Sequence, residues 1–382
     1  MKRHILDSGY DASSFQSHPN RLMEELRQNV LAILIAGIGD LVMASPSLRA
    51  LRRNYPDAEI HLLTSSEAST LAKNYPYIDR VWSFPVRDLR KDKVKGLKAI
   101  NVIREMRKIR FDTAVNLYRV VSRRGAFRMG LLMSLLMPER KVGHDSKGFG
   151  VFLEKKAPKQ IFENRHFTDA MVDLAKLASG VPDDMGIEVF WDKNAEAKWI
   201  TQFPKEGQEK QPLRIGINPG ADRPEKRWNP ENHATVVDRL SDLHEAKIFI
   251  FGGPGEEHLA RQIEKAMKHP STNLAGKLSL NELAYIISRL DLFVTNDSGP
   301  MHIAAAVKTP VVALFGPEDP VYTRPYTSPD FYRIVQKEFN CRPCMNKRCD
   351  RPVCMESIRS EDVLQTCLEL LALDRSGRQK TE

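Results

Sequence analysis

The chain has no run of about 18 apolar residues, the length a membrane-spanning helix needs. Its richest stretch, MGLLMSLLMP at 129–138, is too short and reads as a buried or interfacial helix. The opening MKRHILDSGYDASSFQSHPN is basic but lacks an apolar core, so a secretory signal is not expected and a reducing, cytoplasmic location is. No nucleic-acid-binding module signature occurs. No Asp-x-Asp pair suited to a divalent ion occurs, and the adjacent acids Asp183 and Asp184 fall in a stretch rich in helix breakers. A dinucleotide fingerprint is also missing: after Gly37 and Gly39, Val42 stands at the third glycine position.

What is present describes a globular protein with ample core, 42% hydrophobic and 28% charged. At roughly 100–200 residues per domain, 382 residues suggest two domains. The formal net charge is +9, and the segment from Arg87 to Arg124 alone holds 13 Lys/Arg against 4 Asp/Glu. That strip accounts for the whole imbalance. Much of it suits a solvated helix face; as a binding surface it suits an anionic membrane or a phosphorylated glycolipid better than nucleic acid.

Apolar runs alternate with amphipathic segments. VLAILIA (30–36), AEIHLLT (58–64), RVWSF, FDTAVNL and RKVGH read as strands with helices between them, the pattern of a parallel α/β sheet. A breaker-rich, charged stretch at 180–212 follows, and then the alternation restarts with LRIGINPG, AKIFIFGGPG, DLFVTNDSGP and TPVVALFGPEDP. Residues 1–28 read as an extension, 29–190 as one Rossmann-like domain, and 191–382 as a second with a Cys-rich tail and a terminal helix. Two doubly wound domains facing each other form a cleft where the carboxyl ends of their strands meet.

Three loops of the second domain follow strands directly. NPGADRPEKRWNPENH (218–233) places Lys226 and Arg227 where cations suit a diphosphate. FIFGGPGEEHLARQI (249–263) sets glycines beside Glu256 and Glu257; an acid there either complements the helix dipole or accepts hydrogen bonds from a ribose diol. VTNDSGPMHIAAAV (294–307) opens a helix with Ser298, Gly299 and Pro300, whose first turn suits an anion. Asp297 would repel a phosphate and is aimed at sugar hydroxyls, and His302 is assigned contact. In the first domain Asp40 is the conspicuous acid, carried on a turn made by Gly37 and Gly39. A nucleotide-sugar in one domain and an acceptor in the other fit this layout.

The ordered motifs GIGDLVMASPSLRALRRNYP, NPGADRPEKRWNPENH, GGPGEEH, VTNDSGPMHIAAAVKTPVVALFGPEDP and CRPCMNKRCDRPVCMESI resemble glycosyltransferase family 9, the heptosyltransferase family of lipopolysaccharide core assembly, over about residues 30–372. The resemblance implies a GT-B fold, inversion without a catalytic metal, and usually an ADP-heptose donor. It makes Asp40 the general base. It sets Lys226 on the donor diphosphate, Glu256 on the ribose and Asp297 on the transferred sugar, with Ser298, Gly299 and His302 around the phosphates. A different nucleotide-sugar donor, a nucleotide-sugar 2-epimerase and a basic anion-binding scaffold are the competing readings.

Cys341, Cys344, Cys349 and Cys354 are spaced C-x2-C-x4-C-x4-C, while the fifth cysteine, Cys367, stands apart. In a reducing compartment such spacing is compatible with structural zinc or with reduced thiols. Metal analysis of protein purified without added zinc separates the two.

Overall fold

The computed structural model describes residues 27–85, 93–145, 148, 150–158, 160–204, 212–341, 344, 349 and 351–378. Most of the N-terminal extension and the 86–92 part of the basic strip lie outside the described residues.

Two six-stranded, all-parallel sheets are built in succession. The first contains β1 (Asn29–Leu34), β2 (Glu59–Ser65), β3 (Arg80–Phe84), β4 (Thr113–Asn116), β5 (Arg140–His144) and β6 (Lys155–Ala157). Its helices are α1 (Ile38–Met43), α2 (Ser45–Asn54), α3 (Ser66–Ala72), α4 (Lys93–Met106), α5 (Arg123–Leu136) and α6 (Phe167–Leu177). After α7 (Lys193–Trp199) the second sheet contains β7 (Leu213–Asn218), β8 (Ala246–Ile250), β9 (Ser271–Asn273), β10 (Leu292–Asn296), β11 (Val311–Phe315) and β12 (Tyr332–Gln336). Around it lie α8 (Pro230–Leu243), α9 (Glu257–Ala266), α10 (Leu280–Ile287), α11 (Gly299–Ala306), α12 (Pro320–Thr323), α13 (Val353–Glu356) and α14 (Ser360–Arg378).

The strand orders are β3-β2-β1-β4-β5-β6 and β12-β11-β10-β7-β8-β9. Each is a doubly wound arrangement, and each reverses direction between its first and fourth strand in chain order. The sequence explains why these strands sit inside. Along β1, Val30, Ala32 and Leu34 enter one apolar cluster while Leu31 and Ile33 enter another on the opposite face. Alternate residues of a strand point to opposite sides, so a strand covered on both sides is apolar throughout. The first of those clusters does not stop at the domain edge. It continues from Leu41 and Tyr75 to Phe203, Tyr285 and Met301, so the two halves share apolar contacts below the cleft.

The connection between halves changes allegiance over a few residues. Arg49 on α2 donates to both carboxylate oxygens of Asp183, at 2.9 and 3.1 Å from Nε, and pairs with Glu188. Tyr75 Oη donates to the Glu188 carbonyl at 3.0 Å. By Asp192 the chain belongs to the second half: Asp192 caps α7 and accepts from Asn281 Nδ2 at 2.6 Å. Asn74 of the first domain also reaches Asn281, at 2.7 Å. The adjacent acids Asp183 and Asp184 are therefore not a free pair, since the first of them is a partner of Arg49.

Replacing Arg49 with Ala leaves Glu188 without its cation and Asp183 with only the more exposed Arg53, 3.0 Å away. A cost of about 2 kcal/mol is expected, read as a fall in the thermal midpoint. Arg49 holds the Asp183 carboxyl well below its ordinary value. A depressed carboxyl stabilises the fold above its unfolded pKa of about 3.9 and loses that contribution as pH falls further. The deficit of the variant should shrink on acidification below about pH 4.

Candidate active site

The carboxyl ends of both sheets open on one cleft of about 1240 Å³, lined from both domains. Much of the lining comes from chain segments leaving strand ends: after β1, β2 and β4 in the first domain, and after β7, β8, β10 and β11 in the second.

Asp40 faces this cleft, but not from a turn. The helix begins at Ile38, only four residues past β1, and Asp40 lies within its first turn. Its Oδ2 accepts the Gly37 N–H at 3.1 Å, so the carboxylate closes its own helix start while lining the cleft. Burial raises the Asp40 pKa, opposed by the Gly37 N–H and the charge of Lys226. The Tyr118 hydroxyl is also pushed up, first by burial and then by the Asp40 charge.

The glycines of this loop have a different reason from the one expected. Gly37 has φ −77° and ψ 179°, an extended conformation open to any residue. Neither Gly37 nor Gly39 has a positive φ. Gly39 is needed for closeness: a Cβ there would lie 2.6 Å from His302 Cδ2 and 3.4 Å from Gly299 Cα. The start of α1 therefore rests directly on the start of α11. Burial pushes the His302 pKa down to about 3, so the ring is neutral near pH 7. Its contribution to the cleft is shape and hydrogen bonding, not charge.

Across from Asp40, Lys226 ends a short 3-10 turn, Pro224–Lys226. Its Nζ donates to Asp297 Oδ2 at 2.8 Å, with Glu318 Oε1 at 3.8 Å and Asp222 Oδ1 at 4.0 Å. Burial disfavours the ammonium, but Asp297 and the other acids outweigh it and raise the pKa. Lys226 and Asp297 are thus a pair, a relation that spacing alone did not reveal. Arg227 also lines the cleft, but on other partners: Nη2 donates to the Ala221 carbonyl at 2.8 Å and lies 3.6 Å from Glu256 Oε1. Glu256 accepts the Gly253 N–H at 2.8 Å, and a Cβ on Gly220 would overlap its carboxylate.

Ser298 precedes α11 but does not cap it. Its Oγ accepts from Asn218 Nδ2 at 3.3 Å and lies 3.3 Å from Thr295 Oγ1. The helix start, with Gly299 and Pro300, is left open to the cleft. Such an uncapped start presents main-chain N–H groups and the positive end of the dipole. Its neighbour Asn296 is a buckle: it donates to the Pro219 carbonyl at 2.8 Å and accepts the Trp228 N–H at 3.2 Å.

Several cleft residues escaped the sequence reading. Arg119 lines the cleft, its guanidinium 5.3 and 5.7 Å from the Phe167 and Phe162 ring centres. It stands three residues past β4, so the strand-end rule applied to the second domain would have found it in the first. Glu318 and Thr323 also line the cleft, and Thr323 Oγ1 lies 3.5 Å from Asp297 Oδ1.

The Cys-rich tail reaches the same cleft through Cys344, whose N–H donates to the Pro317 carbonyl at 2.9 Å. Cys341 is exposed, Cys354 is buried beside Gly316, and Cys349 Sγ donates to the Arg351 carbonyl at 3.1 Å. Among the described residues, no group of three or more His, Cys, Asp or Glu is gathered to hold a metal ion.

Known structures define the class of fold. The glycosyl transferase family 9 structure from Veillonella parvula superposes with a TM-score of 0.74 at 23% identity, over 90% of this chain and 97% of that one. The ADP-heptose lipopolysaccharide heptosyltransferase II of Escherichia coli gives 0.69 at 21% identity, over 91% of this chain and 100% of that one. The architecture is GT-B, that of a two-domain glycosyltransferase. A family model described as glycosyltransferase family 9 (heptosyltransferase) matches residues 100–354. The chain belongs to that family. Among curated relatives, lipooligosaccharide heptosyltransferase 2 of Campylobacter jejuni is 28% identical over 87% of this chain and 95% of its own length. Lipopolysaccharide heptosyltransferase 3 of E. coli K12 is 25% identical over 88% and 96%.

Gly39→Ala puts a methyl group into the α1–α11 contact, where the buried His302 ring must give way. Overpacking of this kind costs about 1–3 kcal/mol. The expected outcome is a lower thermal midpoint together with a kcat loss of tenfold or more, since both walls of the cleft meet there.

Proposed function

We propose that this enzyme is an inverting heptosyltransferase. It moves heptose from ADP-heptose to a lipopolysaccharide inner-core acceptor of the lipid A–Kdo type, at the cytoplasmic face of the inner membrane. The observation that carries the reading is the opposition of Asp40 to the Lys226–Asp297 pair and the open start of α11. One wall holds a base, and the other holds the groups that receive a departing anion. The relatives' names support the donor and acceptor, and E. coli heptosyltransferase WaaC is known with ADP and with ADP-2-deoxy-2-fluoro heptose.

Displacement at the anomeric carbon needs the acceptor hydroxyl to lose its proton as the diphosphate leaves with negative charge, through an oxocarbenium-like state. Asp40, its carboxylate partly desolvated, takes that proton. The departing diphosphate meets the α11 start and the Lys226 ammonium. Preorganised charge of this kind is commonly the largest catalytic contribution. Lys226 also neutralises Asp297, which lets Asp297 approach the sugar hydroxyls without repelling the diphosphate. Glu256, at the mouth of the β8–α9 loop, receives the ribose hydroxyls. Arg119 offers a cation to the acidic acceptor from the Asp40 side. Protein cations replace a divalent ion in this scheme, and turnover is expected to persist in EDTA.

Asp40→Asn removes the base and keeps the shape. A kcat loss of about 10²–10⁴ is expected, with the ADP affinity unchanged by calorimetry; turnover like the wild type would defeat the assignment. The base must be ionised, and burial raises its pKa. The acid limb of kcat/KM should therefore lie above the ordinary aspartate value of about 3.9. Across ADP-heptose and UDP-, GDP- and dTDP-sugars, ADP-heptose should turn over best. Nucleoside diphosphate should be released only when acceptor is present, which a 2-epimerase would not require.

A further inference from the structure

Helix α5 has two opposed faces. Met129, Leu132, Met133 and Leu136 are buried in the first domain. At helical spacing on the other side stand Arg124, Phe127, Arg128 and Leu131. Phe127 is 72% exposed and Leu131 49%. Helix α4 packs beside α5 and repeats the pattern, with Leu97 62% and Ile100 61% exposed and Lys98 and Arg104 among them.

From 96 to 137 the chain has nine Lys/Arg and two acids. Both acids are engaged: Glu105 pairs with Lys108, and Asp112 accepts the Asn29 N–H at 2.7 Å. The uncompensated charge on this face is positive. Exposed aromatic and aliphatic side chains within a cationic rim are what an interfacial helix presents to acidic lipid, with arginine stems lying along the apolar boundary. The location fits as well. The short loop from cleft-lining Arg119 to the α5 cap at Ser122 joins this face to the acceptor side of the site.

We infer that the α4–α5 face docks on an anionic bilayer. Phe127 and Leu131 enter the headgroup–acyl boundary, and Lys98, Arg104, Arg124 and Arg128 meet lipid phosphates. This rests on the reading of the protein as a peripheral membrane transferase and adds the surface and the lipid charge.

The test is flotation with phosphatidylglycerol/phosphatidylcholine vesicles and with pure phosphatidylcholine, using the wild-type chain, Arg124→Glu/Arg128→Glu and Phe127→Ser/Leu131→Ser. Wild type should float with the anionic vesicles only. The charge reversal should weaken partitioning roughly 30-fold or more, and the serine pair about tenfold or more. Both variants should keep wild-type melting and wild-type turnover of a delipidated, water-soluble acceptor. Variants that float like the wild type would overturn the surface and leave the membrane reading intact. A wild-type chain that ignores anionic vesicles yet turns over the soluble acceptor would overturn the docking and leave the transferase. Loss of soluble-acceptor turnover would assign the face to the acceptor sugar instead. A change of oligomeric state with flotation unchanged would assign it to a second copy of the chain. Vesicle capture that depends on this face, without any transferase activity, would uphold the docking and sink the function.

Discussion

Two helix starts, one from each domain, meet at a pair of glycines. Gly39 on α1 makes room for His302 and Gly299 on α11. The rest of the site depends on that contact. It fixes how far Asp40 stands from the anion-receiving end of α11, and no single domain can set that distance. Each sheet positions its own loops by its switch point. The glycine helps join two half-sites into one, because a Cβ there would run into the His302 ring.

The electrostatics follow the same division. The first-domain wall offers a carboxylate whose surroundings favour its protonated form. The second offers an ammonium held charged by three acids and a helix start without a side-chain cap. A proton moves toward the first and negative charge toward the second. A neutral His302 between them adds no charge that would blunt this contrast. The pairing of Lys226 with Asp297 also lets a lysine and an aspartate serve neighbouring parts of one ligand without cancelling the cleft's function.

Much of this was legible in the chain because fully covered parallel strands are continuous apolar runs. NVLAIL, LFVTN and VVALF announced themselves, and the residues just past them are the site. What hid was contact between distant segments. Nothing in GIGD says that its second glycine touches a histidine more than 260 positions later. Nothing in PEKR says that the lysine pairs with Asp297 while the arginine turns back on Ala221. Arg119 hides for a plainer reason: β4 is only four residues long, a weak signal of a cleft edge. The cysteine spacing says nothing of exposure, and one thiol is buried while another faces solvent.

The brace at Arg49 has a mechanical consequence. It pins the connecting chain to the first domain at Glu188, Phe190 still packs there against Tyr75 and Tyr77, and Asp192 is already anchored to the second through Asn281. The change of anchor falls between Phe190 and Asp192, with Trp191 already against Tyr285. The crossing between the halves is thus held from both sides over a few residues and is no slack tether, and Tyr326 on Asp169 ties the halves a second time. Two ties at separate places restrict how far Asp40 can stray from the opposite wall.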